Sequence, residues 1–100
     1  MTATTDSFQP NYGSGVTVAP TASSASSSLG NGSENVTLTN LGSVTVYVRI
    51  GTGTQTATTA DYPVLAGTQV SLSKARSDTT VAYVTASGTG SLHIIAGRGL

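Results

Sequence analysis

The chain has 100 residues, and only 8% of them are charged, against about 25% in an ordinary soluble domain. This length predicts a single domain, and a formal net charge of zero leaves no electrostatic attraction for nucleic acid or for anionic membranes. The absence of cysteine excludes disulfides, thiolate chemistry and zinc–thiolate sites.

The first residues, Met1 to Asp6, contain no basic region followed by an apolar run, so they predict no signal peptide. No stretch approaches the ~18 consecutive apolar residues that suggest a membrane span. We therefore expect a chain made in the cytoplasm that stays soluble, with neither nucleic acid nor membrane as a partner. A near-neutral surface rich in Thr and Ser favours a protein that works inside an assembly.

Residues 1–15 are polar and show no periodicity, with Phe8 and Tyr12 as isolated aromatic residues. Two interpretations remain open for this segment. It is either a frayed tail or an arm that lies on a neighbouring subunit, anchored by its two aromatic side chains.

Residues 16–33 contain one clear strand pattern and one ambiguous segment. Val16 to Val18 alternate for a short strand, which Pro20 ends. Residues 23–28 consist of Ser and Ala, a composition that suits either a linker or a strand of small residues at a sheet edge. The sequence leaves both possibilities open.

From Glu34 onwards, apolar residues alternate with Thr and Ser, which is the period of half-buried strands. The predicted strands cover residues 35–40, 44–50, 68–74, 80–86 and 91–96. The short connections at 41–43 and 87–90 predict β-hairpins.

No apolar stripe of helical period appears anywhere in the chain. The predicted fold is all-β, an antiparallel β-sandwich of about seven to eight strands, jelly-roll or immunoglobulin-like, with an extended N-terminal arm. Residues 34–100 form the predicted core of the sandwich.

Side chains able to carry out chemistry are few and scattered. His93, the only histidine, is predicted on the strand face opposite Leu92 and Ile94. Catalysis would need a nucleophile and an orienting carboxylate that converge on it, so a solvent-facing or interface histidine is the favoured interpretation. The acidic residues are equally isolated and are best explained as turn residues: Asp6, Glu34, Asp61 and Asp78. The sequence predicts no enzyme, no metal site and no cofactor.

The basic residues form no stripe, so salt bridges or interface contacts explain them better than nucleic-acid binding does. The candidate partner-binding residues are Phe8, Tyr12, Tyr62 and Arg98.

Several segments carry a resemblance to a known group of proteins: residues 16–26, 44–51, 57–64, 81–88 and 93–100. From Val16 to Leu100 the chain resembles small virion proteins of tailed bacteriophages, often encoded beside the major capsid protein. The tail of such proteins more often reads Gly-Glu-Gly, and Arg98 departs from that pattern.

The resemblance implies a β-sandwich that decorates or cements a capsid, commonly as a homotrimer at junctions between capsomers. The implied partner is the major capsid protein, and the implied location is the outer surface of the virion. Two alternatives stay open. One is another virion part, such as a head–tail joining, tail-tip or head-fibre base protein. The other is a carbohydrate-binding module, although the chain has no Trp and only Tyr47, Tyr62 and Tyr83 as core-region aromatics.

Overall fold

A computed structural model describes residues 8–29 and 32–98. Within these residues there are nine strands and no helix. The strands are β1 (Gln9–Pro10), β2 (Val16–Val18), β3 (Ala25–Ser28), β4 (Asn35–Asn40), β5 (Val46–Gly51), β6 (Tyr62–Val64), β7 (Gln69–Ser73), β8 (Thr80–Thr85) and β9 (Leu92–Arg98). Their pairings are antiparallel. The predicted all-β antiparallel sandwich is confirmed.

The strands form two sheets whose order is that of a jelly roll. In sheet A, β1 and β2 both pair with the same edge of β9. On the other side of β9 lies β4, and β7 lies beyond β4. Sheet B has the order β3, β8, β5, β6. From β2 to β9, every connection except β5–β6 crosses from one sheet to the other. An immunoglobulin constant-type sandwich has three connections that stay within a sheet: A–B and D–E in one sheet, and F–G in the other.

The two predicted hairpins are therefore wrong. β4 pairs with β7 and β9, whereas β5 pairs with β6 and β8 in the other sheet. The segment at 87–90 likewise joins β8 of sheet B to β9 of sheet A. Alternation fixes which face of a strand is apolar, but a short Gly-containing connection can also bridge two stacked sheets about 10 Å apart.

The two edge strands of sheet B, β6 and β3, were not assigned from the sequence. Between the predicted strands at 44–50 and 68–74 lies the short strand β6, which pairs with residues 46–48 of β5. Pro63 is tolerated because β6 is an edge strand, where one amide can be missing from the ladder. The Ser/Ala-rich segment is a strand and not a linker, since β3 pairs with β8 along the opposite edge of sheet B.

The core lies between the two sheets, where alternate residues of the strands face inward. Its members come from both layers: Val36, Leu38, Leu92 and Ile94 from sheet A, with Val46, Val48, Val64, Val81 and Tyr83 from sheet B. On the outer face of the central strand β4, Asn35 and Thr37 are also buried, whereas Thr39 is half-buried. There the Thr37 and Ser71 hydroxyls are hydrogen-bonded across strands at 2.8 Å.

Candidate interaction surfaces

The four predicted partner-binding residues fall on two different edges of the sandwich. Phe8 is half-buried just before β1, and the exposed Arg98 ends β9 opposite Gln9. Tyr12 is 88% exposed in the turn that follows β1. Tyr62 lies on β6, the edge of sheet B farthest from β3. The structure thus brings three of the candidates to one edge and leaves Tyr62 apart.

Residues 8–14, which we call the N-terminal segment, fold back onto β9 of the same chain. Gln9 and Pro10 pair with Arg98 and Gly97, and the Asn11 amide donates to the Ala96 carbonyl at 2.9 Å. The contact at Gly97 is so close that an added Cβ would overlap the Gln9 carbonyl oxygen. The sequence left open a frayed tail or an arm on a neighbouring subunit; in the described chain, residues 8–14 lie along the edge of their own sheet.

A tight turn at residues 11–14 ends the N-terminal segment before β2. Gly13 has a φ of 84°, a left-handed conformation that glycine adopts without steric penalty. The Ser14 amide and hydroxyl both donate to the Asn11 carbonyl, at 3.1 and 2.6 Å. The turn projects Tyr12 into solvent, where it is available to another molecule.

The His93 side chain packs against residues 15–17, at the start of β2. Its Nδ1 lies 3.1 Å from the Thr17 hydroxyl, and a Cβ on Gly15 would come within 2.7 Å of its Nε2. Residues 15–17 therefore run against the imidazole, whose hydrogen-bond partner is a hydroxyl and not a carboxylate. In the part of the chain that the structure describes, no group of three His, Asp or Glu side chains is placed to hold a metal ion.

The acidic residues of the described chain fasten loops. Glu34 pairs with Arg76 at 2.9 Å, and both side chains are substantially exposed, so the pair adds little stability. Asp78 accepts hydrogen bonds from the Ala75 amide and from the Thr52 hydroxyl, at 3.1 and 3.0 Å. The carboxylates of Glu34 and Asp78 therefore hold loops in place through ion pairing and hydrogen bonds.

Lys74 also stabilises the loops next to Asp78. Its ammonium donates to the carbonyls of Ser33, Ala75 and Asp78, at 2.8, 3.1 and 2.7 Å. Burial lowers the pKa of Lys74 from its ordinary value, and the nearby Asp78 opposes that shift. The side chain ties the loop before β4 to the loop before β8.

Asp61 fixes the end of the long β5–β6 loop. Its carboxylate accepts from the Thr58 amide at 2.7 Å and pairs with Arg49 at 3.0 Å. The Thr58 hydrogen bond and the Arg49 guanidinium hold the pKa of Asp61 below its ordinary value, against the opposing effect of burial. The charged form is therefore favoured by folding.

We expect Asp61→Asn to lower the free energy of unfolding at pH 7 by about 1 kcal/mol. Because the folded pKa is depressed, the stabilisation is present above the unfolded value near 3.8 and is lost as the pH falls through the folded pKa. Urea unfolding at pH 7 and near pH 3 measures this difference. Glu34→Gln is the matched control, since its carboxylate is in an exposed pair with Arg76 and its loss should cost little at either pH. An Asp61→Asn deficit that did not shrink in acid would contradict the assignment.

Four loops meet at one end of the sandwich, and we call this surface the uncharged end. The loops are residues 19–24, 41–45, 65–68 and 86–91. Backbone hydrogen bonds join them: Leu41 donates to Ser91, Gly67 to Asn40, and Gly90 to Pro20. None of these loop residues is Asp, Glu, Lys, Arg or His.

Two leucines project from the uncharged end. Leu41 is 60% exposed and Leu65 is 58% exposed, and each directly follows a fully buried residue, Asn40 and Val64 respectively. The side-chain Nδ2 of Asn40 donates to the Val64 carbonyl at 2.9 Å, and this hydrogen bond holds the two loops side by side. Sequence reasoning missed this surface, although in an antiparallel sandwich successive connections alternate between the two ends, and that alternation could have grouped these loops.

The charged residues lie away from the uncharged end. Seven of the eight charged side chains are in the described residues, Asp6 being outside them. They occupy the loops at the other end, the β9 terminus and the neighbouring parts of β5 and β6: Glu34, Arg49, Asp61, Lys74, Arg76, Asp78 and Arg98. The two ends of the molecule therefore offer different surfaces to a partner.

A cavity of about 220 Å³ opens between the β2 and β3 edges, lined by Ser14, Val16, Ser28, Leu29, Ile94 and Ala96. Its lining is mostly apolar and hydroxylic, without an ionisable side chain, so it offers no acid–base chemistry. The tyrosines form no shared exposed platform. Tyr12 and Tyr62 lie on different edges, Tyr83 is only 6% exposed, and Tyr47 is partly buried against Ala82 and Val84.

Comparison with protein-family models and with curated proteins found no match for this chain. The described residues also include no helix of the length and apolarity that crossing a membrane requires.

Proposed function

We propose that this protein decorates a bacteriophage capsid and stabilises the head by bridging neighbouring major capsid subunits. The observation that carries the proposal is the N-terminal segment, a short strand held at the rim of a jelly roll with Tyr12 fully presented beside it. Jelly rolls are frequent in capsid proteins, but the fold alone does not determine function. The resemblance in sequence supplies the capsid as the partner.

The action is mechanical. Each copy contributes contact area at more than one place, and simultaneous engagement of individually weak contacts raises the overall affinity. Tyr12 suits such a contact because an aromatic side chain adds large contact area with few rotatable bonds. Arg98, exposed at the end of β9, adds a guanidinium that can reach a carboxylate of the coat.

Capsid particles lacking this protein provide the direct test. We expect Tyr12→Ala to weaken binding to such particles about tenfold or more, which corresponds to the loss of one interface anchor. Deleting residues 1–15 should weaken binding further and leave the sandwich folded by circular dichroism. Co-sedimentation with the particles measures both effects.

Thr54→Ala, a change in the exposed β5–β6 loop, is the control and should bind as the unchanged protein does. Full binding by the truncated chain would overturn the role of the segment. The copy number in purified particles tests the function itself: hundreds of copies indicate decoration, whereas about six or twelve would indicate a connector or tail position.

A further inference from the structure

We propose that a coat subunit pairs an extended segment, backbone to backbone, with the free edge of β7, so that sheet A gains a strand from its partner. The inference rests on the proposed function, which supplies the coat subunit, and it names the element that this partner contributes. It starts from the edges of the two sheets, because an edge strand without protection is a template for a further strand.

β7 lacks the features that keep the other edge strands from pairing. β1 contains Pro10 and β6 contains Pro63, and proline cannot donate an amide to a neighbouring strand. β3 is shorter, and the β5–β6 loop reaches its start, where the Ala57 amide donates to the Ser24 hydroxyl at 2.8 Å. β7 has five residues, Gln-Val-Ser-Leu-Ser, without proline, glycine or charge.

The hydrogen bonds around β7 show which of its backbone groups face outward. Before β7, the Asn40 amide donates to the Thr68 carbonyl at 2.8 Å. After β7, the Lys74 amide donates to the Glu34 carbonyl at 2.9 Å. Because successive residues of an antiparallel strand bond to alternate sides, the even-numbered residues bond to β4 and the odd-numbered residues face away from it.

The outward-facing residues are Gln69, Ser71 and Ser73. Among the residues that the structure describes, no strand lies on this side of β7. The three residues therefore present amides and carbonyls at the spacing of a β-ladder. Another extended backbone is the partner that matches this spacing.

The side chains of β7 specify the composition of the added strand. Val70 and Leu72 pack against the core from the inner face, yet both remain only half-buried at this border of the sandwich. Apolar side chains on the added strand would cover them, and small polar side chains would lie beside the exposed residues of β7. The matching segment is thus about five residues long, uncharged, and alternates apolar with hydroxyl side chains.

The place of β7 in the sheet suits the bridging of two coat subunits. Sheet A runs from the edge with β1 and Tyr12, through β9 and β4, to β7 at the opposite edge. One edge offers an aromatic anchor and the other offers a backbone ladder, so each edge engages a different subunit. Pairing at β7 should depend only weakly on salt, since it involves no ion pair.

Removal of one outward amide tests the pairing. Ser71→Pro deletes an N–H that β4 does not use, so the sandwich should stay folded by circular dichroism, because edge strands tolerate proline. Ser71→Ala is the matched control, since it keeps the amide and removes the same hydroxyl, which is bonded to Thr37 at 2.8 Å. In co-sedimentation with capsid particles, Ser71→Pro should weaken binding about tenfold or more, whereas Ser71→Ala should bind as the unchanged protein does.

Ser73→Pro and Ser73→Ala form a second pair, which applies the same test if Ser71→Pro does not fold. Hydrogen exchange gives an independent readout. On decorated particles the amides of Gln69, Ser71 and Ser73 should exchange more slowly than in the free protein, whereas the exposed Thr54 amide should be unchanged.

Equal binding by the proline and alanine variants, or unprotected β7 amides on decorated particles, would overturn the strand pairing and leave the proposed function intact. Protection of these amides in the free protein that increases with its concentration would identify a second copy as the occupant and would also overturn the proposal. No binding of the unchanged protein to the particles would overturn the proposed function and the strand pairing together.

Discussion

Asn40→Ala should lower the free energy of unfolding by roughly 3 kcal/mol, a large effect for an uncharged polar side chain. Asn40 is 1% exposed and makes three hydrogen bonds, donating to the carbonyls of Val44 and Val64 and accepting from the Gly42 amide. Alanine would leave all three backbone groups without that partner and would open a small void. Urea denaturation at neutral pH measures the loss.

Thr39→Ala is the neighbouring control. Thr39 lies on the same strand, is half-buried and accepts a hydrogen bond at 2.8 Å from Gln69 on the surface, where water can replace it. We expect this change to remain within about 1 kcal/mol. A loss at Asn40 no larger than that at Thr39 would show that the buried amide does not organise the loops.

The same substitution links stability to the uncharged end. Without Asn40, the loops at 41–45 and 65–68 lose their shared support, so their amide hydrogens should exchange faster than those of the central strands. Hydrogen exchange of the variant and of the unchanged protein would measure this difference.

The inward faces of the strands were predictable because alternation is local. Val36, Leu38, Val46 and Val48 are buried as their spacing predicts. The assignment of strands to sheets was not predictable in the same way. Alternation along β4 and β5 is identical whether they pair with each other or face each other across the core, and only long-range packing distinguishes the two arrangements.

The edge elements were the hardest to predict. β6 has three residues and contains Pro63, so neither its length nor its composition signals a strand. β3 consists of Ala and Ser, whose strand character comes from pairing with β8 and not from their propensity. Phe8 and Tyr12 are far from Arg98 in sequence, and only the β1–β9 pairing brings the three to one edge.

Gly97→Val should detach the N-terminal segment while preserving β9, at a cost of about 2 kcal/mol in unfolding free energy. An added Cβ would overlap the Gln9 carbonyl oxygen and would lie 2.8 Å from the Pro10 Cα. The β9 backbone itself accepts valine, because Gly97 does not adopt a left-handed conformation and β-branched residues favour strands. The strain therefore falls on β1, which is held by only two paired residues.

Detachment has a direct signature. The Asn11 amide, which donates to Ala96, should lose its protection from hydrogen exchange, and chymotrypsin should cleave after Tyr12 more rapidly. Ser73→Val, at an exposed position on β7 of the same sheet, introduces the same side chain far from β1 and should change neither readout. Unaltered protection at Asn11 would show that the segment tolerates the added side chain. If protection is lost, the variant separates the two possible roles of the segment: binding to capsid particles survives if only Tyr12 is needed, and falls if Tyr12 must be held beside Arg98.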